Sequence, residues 1–329
     1  MQPTPTQFLC AALLACACQS SDEADPDQKI AMHREFGRKY FENGQLVLAE
    51  QQVDLGLSID ADDAKLRLMK AWIRQKRGLP EDVLLAESLF RDLVGDGDYR
   101  ALLGLGQALE RKGVLYWESA GPVERGERET KAADPKKRAA QMRIEAGEYW
   151  RESVDWYEKT LAKKSGEIQA VNGLQRVWVL LGDLEQSLRW SNALLEQSER
   201  EIEFWRTELQ RVDLRAAEED EFRRLLSSSA KLLVETHLAA STSLVKLGRA
   251  EEALPHLDQA LALEPARAEI FSRRAQLHRE VGRLREARDD IQQFLKLSTL
   301  AVDHPDMRKA FDLLAECEVA LRSGGKSGG

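Results

Sequence analysis

Apolar residues recur at helical spacing along most of this chain. Near the carboxyl end, Ala253, Leu257 and Leu261 follow one another at intervals of four. Side chains at this spacing lie on one face of an α-helix, and that face must be buried against a neighbouring element. Gly248 stands before the stretch and Pro265 follows it. A glycine in a tight turn before a helix and a proline after its end, where the helix cannot continue, are typical of such an element. The pattern predicts a short amphipathic helix.

The same pattern returns after 34 residues. Gly282 and Ala287 follow Gly248 and Ala253 at that offset, and large apolar residues again recur behind them. A constant period of this length is typical of repeat proteins, whose units pack only on their neighbours. Less regular copies occur in four further places: at Gly37, Gly44, Ala49 and Val53; at Ala71, Gly78, Ala86 and Phe90; at Leu102, Gly106, Leu109 and Gly113; and at Val171, Leu174, Gly182 and Ser187.

These residues resemble the tetratricopeptide repeat (TPR), a unit of two antiparallel helices. The resemblance spans nearly all of residues 29–322. It implies an all-α, TPR-like solenoid of antiparallel helix pairs, with one long helix and a helical insert. In this family a small residue such as Ala253 or Ala287 lies where the second helix crosses the first. The helix that opens at Asp134 and carries Trp150 and Tyr157 resembles the second helix of a third unit.

The organisation along the chain follows from where the pattern changes. We expect TPR-like repeats over residues 29–198, interrupted by a charged insert at 118–134 that contains glycine and proline. No helix breaker occurs between Glu196 and Leu247, which predicts one long helix at 199–247, or two with a break near residues 227–229. Residues 248–322 then hold the last repeats and a capping helix that starts at Pro305, and residues 323–329 form a disordered tail.

The amino terminus is predicted to be a targeting segment. Residues 8–17 are apolar over about the length of a signal-peptide core, and Leu13-Leu14-Ala15-Cys16 resembles the lipobox of bacterial lipoproteins. The resemblance implies a signal peptide at 1–16, lipid on Cys16 with Cys18 as the fallback, and a flexible tether at 17–28. One feature departs from the pattern, since residues 1–7 contain no Lys or Arg. The expected location is the bacterial cell envelope, facing the periplasm or the exterior; the alternative is a cytoplasmic protein with an apolar tail.

Composition narrows the classes of partner. The chain has 329 residues, 32% of them charged, and a formal net charge of -8, which disfavours binding to a nucleic-acid backbone. Contact with a membrane is expected through the lipid anchor only. Cys317 is the only cysteine outside the first twenty residues, so no internal disulfide framework is expected, and its helical neighbours predict that it packs as a small buried hydrophobe.

No residue constellation in the sequence predicts catalysis. The five histidines are scattered, and no two lie four apart on one helix face as metal ligands would. The expected role of His33 and His237 is packing between helices. No phosphate-binding glycine loop and no nucleophile elbow occurs. We therefore predict no catalytic, cofactor or metal site, with an enzyme carrying an unrecognised site as a remote alternative.

The predicted function is a non-enzymatic scaffold that binds a protein or peptide in a superhelical groove. The alternative is a lipid-anchored, pilotin-like assembly factor for an envelope machine. In the TPR family the groove wall is built from exposed positions of each first helix, and the arginines among them suggest an acidic or carboxylate-bearing ligand. Tyr149 and Trp156 are either a second docking surface or shielded by the insert. Carried onto this sequence, the groove candidates are Arg34, Arg38, Lys65, Trp72, Asn172 and Arg176, followed by Glu235, Thr242, Ser272 and Gln276.

Overall fold

The computed structural model describes residues 25–128, 132 and 134–324, and its regular elements in these ranges are helices. They are α1 (Pro26–Glu42), α2 (Leu46–Ile59), α3 (Ala64–Arg77), α4 (Pro80–Leu93), α5 (Tyr99–Glu124), α6 (Pro135–Lys163), α7 (Ile168–Leu181), α8 (Leu184–Glu208), α9 (Ala216–Lys246), α10 (Ala250–Leu263), α11 (Ala268–Glu280), α12 (Leu284–Leu297) and α13 (Pro305–Gly324), with a 3₁₀ turn at Val94–Asp96. The predicted all-α fold of antiparallel helix pairs is confirmed.

The helices form two compact units, Met1–Thr160 and Leu161–Gly329. Within each unit, consecutive helices pack against each other, and α3 also contacts both α1 and α5. Each unit has its own hydrophobic clusters. Phe90 and Leu109 are central in the first unit, and Leu257 and Ile291 are central in the second. In the ranges that the structure describes, no helix is long and apolar enough to span a membrane.

Small residues set the spacing of the helix pairs, as the repeat predicted. Ala253 and Ala287 are both fully buried. At Gly106, an added Cβ would lie 2.9 Å from ring atoms of Tyr157 on α6, so α5 and α6 approach more closely than a methyl group allows. In the last two pairs, the turn between the first and the second helix uses a positive φ angle, 74° at Gly248 and 79° at Gly282.

The long helix is present, but its bounds differ from those expected. It is α9, with 31 residues, and the chain breaks before it at residues 209–215, whereas residues 227–229 lie inside it. The break contains no glycine or proline. Local polar contacts hold it. Arg211 donates to Glu208 at 3.0 Å and to Asp213 at 3.2 Å, and the Glu218 carboxylate accepts from the Arg215 backbone amide at 3.1 Å and from its guanidinium at 2.6 Å. A break of this kind cannot be recognised from glycine or proline in the sequence.

The insert also starts later than expected. Helix α5 continues through Gly121 and Pro122 to Glu124, so the connection to α6 is residues 125–134. The extra turns are stabilised because Ala120 and Val123 on α5 pack in one buried cluster with Ala139 and Met142 on α6. This burial outweighs the cost of a proline in the final helical turn.

Candidate protein-binding surface

The first helices of the amino-terminal unit are α1, α3 and α5, and the predicted groove residues of this unit lie on α1 and α3. On α3, Lys65, Trp72 and Lys76 are seven and eleven residues apart, so they lie along one stripe of the helix. We call the outward-facing positions of these three helices the first-helix wall.

Arg34 and Arg38 are already paired within the chain. Arg34 on α1 forms an ion pair with Asp63, a buried residue whose carboxylate caps α3 by accepting a hydrogen bond from the Leu66 backbone amide at 2.8 Å. Arg38 is exposed and bonds along α1 to Glu35 and Glu42, both at 2.9 Å. Hydrogen bonds from Arg38 and Lys39 hold the pKa of Glu35 below its usual value. An acidic ligand would therefore have to compete with these internal carboxylates.

Lys65 and Trp72 differ in how much of each side chain is exposed. Lys65 is exposed, and no acidic side chain in the described ranges pairs with it. Trp72 is half-buried and packs edge-on against Phe90, with the ring centres 5.1 Å apart. Trp72 therefore presents only part of its ring to a ligand.

Two further cations on this wall were missed by the sequence reasoning. Lys76 is exposed, with its ammonium 4.7 Å above the Phe41 ring and 3.4 Å from the Phe41 carbonyl oxygen. Arg111 on α5 is exposed, and within the described part of the chain neither residue has an acidic partner. Each lies five residues after a small contact residue, Ala71 or Gly106, and this shared position is the signal that could have found both.

The second unit carries the remaining groove candidates. Asn172 is half-buried and Arg176 is exposed, both on α7. On α9 and α11 the polar side chains are joined by their own contacts. Arg267 donates to Glu235 at 2.7 Å, and Arg273 donates to Glu269 at 2.6 Å and to Thr242 at 3.2 Å. Gln276 is exposed, and Ser272 lines an open cleft of about 540 Å³ with Glu269, Arg273, Phe294, Leu300 and Asp306.

Tyr149 and Trp156 are half-buried against the core of the first unit. Tyr149 meets Tyr116 edge to face at 5.1 Å and lies under the Lys112 ammonium at 4.2 Å, and burial raises its pKa. The ammonium of Lys159 lies 3.8 Å over the Trp156 ring. Much of the cover on Tyr149 therefore comes from α5.

The first helix pair exposes large apolar side chains on both of its helices. Met32 and Phe36 on α1 are each 41% exposed, and Leu55 and Ile59 on α2 are 50% and 40% exposed. Met32 holds the repeat position that Leu66 holds in α3, where the side chain is fully buried against the preceding pair. We call these four residues the apolar side of the first pair.

The remaining candidate site residues are histidines and cysteines. Within the described residues, no group of three or more His, Cys, Asp or Glu side chains is arranged to hold a metal ion. His33 packs between α1 and α2 as expected, with its Nδ1 2.9 Å from Oε1 of Gln52. Cys317 is fully buried, also as expected, and burial raises the pKa of its thiol. The proposed lipidation residue, Cys16, lies outside the described residues.

Comparison with known proteins identifies solved structures with a similar fold. No protein-family model matches the sequence, and no curated protein matches it. Among solved structures, the apo form of RapI matches with a TM-score of 0.50 and 12% identity, covering 89% of this chain and 72% of that one. A thermophilic TPR protein from Thermus thermophilus matches with a TM-score of 0.41 and 15% identity, covering 77% and 98% of the two chains.

A third neighbour is PilW, named as a widely conserved type IV pilus biogenesis factor. It matches with a TM-score of 0.39 and 16% identity, over 74% of this chain and 96% of that one. At identities this low, such likeness shows the fold alone. Together with the 34-residue spacing and the small residues buried at the helix crossings, the match to RapI shows that this chain has the tetratricopeptide-repeat fold.

Proposed function

We propose that this protein is a non-enzymatic scaffold that holds a protein or peptide partner on its first-helix wall. The observation that carries the proposal is a set of exposed cations on that wall that have no acidic partner among the residues the structure describes: Lys65, Lys76 and Arg111. A stable fold does not need unpaired charges along one wall, two of them (Lys76 and Arg111) at the same position of successive first helices, whereas recognition of a carboxylate-bearing segment does.

The proposed ligand is an extended acidic segment with at least one apolar side chain. Its carboxylates would accept charge-assisted hydrogen bonds from Lys65 and Lys76, and its apolar side chain would pack on the exposed part of Trp72. Because these groups are exposed, affinity is expected to fall as ionic strength rises, with a screening length of about 10 Å at 0.1 M salt.

A panel of synthetic peptides with equal apolar content and graded negative charge tests this by fluorescence anisotropy. The acidic members are expected to bind the parent chain and to lose affinity for the double variant Lys76→Glu with Arg111→Glu. The matched control is Lys136→Glu with Lys137→Glu, the same charge change on exposed residues of α6 in the same unit. Equal loss in both variants, or no binding of acidic peptides, would contradict the assignment of the wall.

We further propose that the chain is anchored in the bacterial envelope by lipid on Cys16, on the strength of the Leu-Leu-Ala-Cys run. Changing Cys16 to Ser is expected to move the protein from the membrane to the soluble fraction. If membrane association is unchanged in both Cys16→Ser and Cys18→Ser, the anchor is not there.

The second candidate function is a lipid-anchored assembly factor, which the apolar side of the first pair favours. An envelope component would bury Phe36 and Leu55, which the chain itself leaves 41% and 50% exposed. Changing both to Glu is expected to abolish assembly while the peptide binding described above is retained. The control is Leu84→Glu with Leu85→Glu, two residues of α4 that are each 49% exposed. Equal effects of the two pairs would argue against this function.

A further inference from the structure

Two imidazole rings meet inside the second unit. His237 on α9 is 6% exposed, and its Nδ1 lies 3.0 Å from Nδ1 of the half-buried His256 on α10. At this distance one ring donates its N–H to the lone pair of the other. The pair joins the two helices of the repeat that contains Ala253.

The geometry identifies this contact as a hydrogen bond and excludes a shared metal ion. The ring centres are 5.3 Å apart, and the difference from the 3.0 Å nitrogen separation is about one ring radius at each end. The two nitrogen atoms therefore point at each other. A metal ion would need both lone pairs to converge on a third point, which this arrangement does not allow.

The first repeat contains the same contact with a different partner. His33 lies sixteen residues before Ala49, and His237 lies sixteen before Ala253; Gln52 and His256 each lie three residues after the same alanines. In the first repeat His33 meets the Gln52 amide oxygen at 2.9 Å. An amide oxygen accepts from an imidazole whether or not the ring is charged, but a second imidazole accepts only while its own Nδ1 is unprotonated.

The pair therefore takes up protons in two steps. The first can add at Nε2 of the donor ring, which leaves the hydrogen bond intact but places a charge in a half-buried site. The second must add at the acceptor Nδ1, and two N–H groups then oppose each other. Burial, followed by the charge of His256, lowers the pKa of His237 to about 4, and burial also lowers the pKa of His256.

The surroundings supply little compensation for that charge. The charged groups around the pair are engaged with one another: Arg249 bonds to Glu252 at 2.6 Å and to Glu185 on α8 at 3.4 Å. Other charged groups on these helices include Arg189 on α8, which shares the cleft beside His256, Glu235 on α9, which is paired with Arg267, and Asp258 on α10, which is paired with Arg274.

We propose that the His237–His256 pair makes the α9–α10 repeat an acid-sensitive joint, which opens when the pair must take up protons. The direction of the pH dependence follows from the number of protons that each state binds. An unfolded histidine has a pKa near 6.5, so the open state binds more protons than the closed one below that pH. The stability that the pair provides is complete above about pH 6.5 and is lost as pH falls toward 4. Repeat proteins permit such local opening because each unit contacts only its neighbours.

Amide hydrogen exchange of the full chain at pH 7.5 and 5.5 tests this, with protection factors corrected for the intrinsic pH dependence of exchange. With a pKa of about 4 in the closed state and 6.5 in the open state, His237 alone is expected to increase opening of α9 and α10 about tenfold at the lower pH. The double variant His237→Gln with His256→Gln keeps a hydrogen bond and has no ring to protonate, so its increase should be much smaller.

The control is His304→Gln, which removes a half-buried histidine outside the pair and should behave as the parent does. Equal acid-induced opening of α9 and α10 in the parent and the double variant would overturn the proposal. If the double variant does not fold, NMR titration of the parent decides. Ring resonances of His237 that stay unchanged from pH 7.5 to 5.5 support the joint, and titration near 6.5 refutes it.

Discussion

The crossing of α5 and α6 gives a prediction whose sign depends on the structure. Replacing a helical glycine by alanine normally stabilises a protein by about 0.5–1 kcal/mol, because glycine loses more backbone entropy on folding. At Gly106, however, the new methyl group would lie 2.9 Å from Tyr157 ring atoms, which is closer than real Cβ contacts come. We expect Gly106→Ala to destabilise the chain.

The size of the destabilisation depends on the contacts that the Tyr157 ring would lose. The ring is fully buried, and its hydroxyl donates to the Glu110 carboxylate at 2.6 Å. The Ser153 hydroxyl also donates to the Gly106 carbonyl at 2.9 Å, so the helices cannot separate without stretching that bond. Overpacking of this kind costs about 1–3 kcal/mol. Subtracting the gain in helix propensity leaves a net loss of about 1 kcal/mol from the middle of the two ranges, and of about 2.5 kcal/mol at most.

Urea unfolding followed by far-UV circular dichroism measures this loss. The matched control is Gly147→Ala in the middle of α6, where the nearest atom to a new methyl group is the end of the flexible Arg151 side chain at 3.7 Å. The control should be more stable than the parent by about 0.5–1 kcal/mol. If Gly106→Ala is as stable as the parent while Gly147→Ala gains, the close approach of α5 and α6 is refuted.

Two further predictions concern stability. Arg34→Glu should lower the unfolding free energy by about 1–3 kcal/mol, since buried Asp63 would lose its partner, whereas Arg38→Glu on the exposed face of α1 should hardly move the urea midpoint. Equal midpoints for the two variants would argue against the Arg34 contact. Enlarging Ala253 or Ala287 to Leu should cost about 1–3 kcal/mol by overpacking a fully buried position, and an unchanged melting temperature in both would contradict the repeat register.

The cations of the first-helix wall without an acidic partner among the described residues are the part of the candidate site that sequence reasoning located least well. Arg34 and Arg38 hold repeat positions of the wall, but Asp63 and Glu35 already bind them. Lys76 belongs to the same stripe of α3 as Lys65, and it was overlooked although its position could be read from the sequence. Pairing of a charge depends on residues far away along the chain, such as Asp63, 29 positions after Arg34, and no local pattern encodes it.

The repeat itself could be predicted because its physical basis is local. A glycine at positive φ, a small residue at a crossing and apolar residues four apart each constrain neighbouring residues only, so Gly248, Ala253 and Leu257 are sufficient to predict a helix pair.

Only the tertiary structure decided the features that depend on distant contacts. Helix α5 runs through Pro122 because burial between α5 and α6 outweighs local preference, and the chain breaks at residues 209–215 although no glycine or proline stands there. The meeting of His237 with His256 likewise requires α9 and α10 to pack in one register. Helix propensity is a property of short segments, whereas which polar groups lose water together is set by the packing of the whole unit.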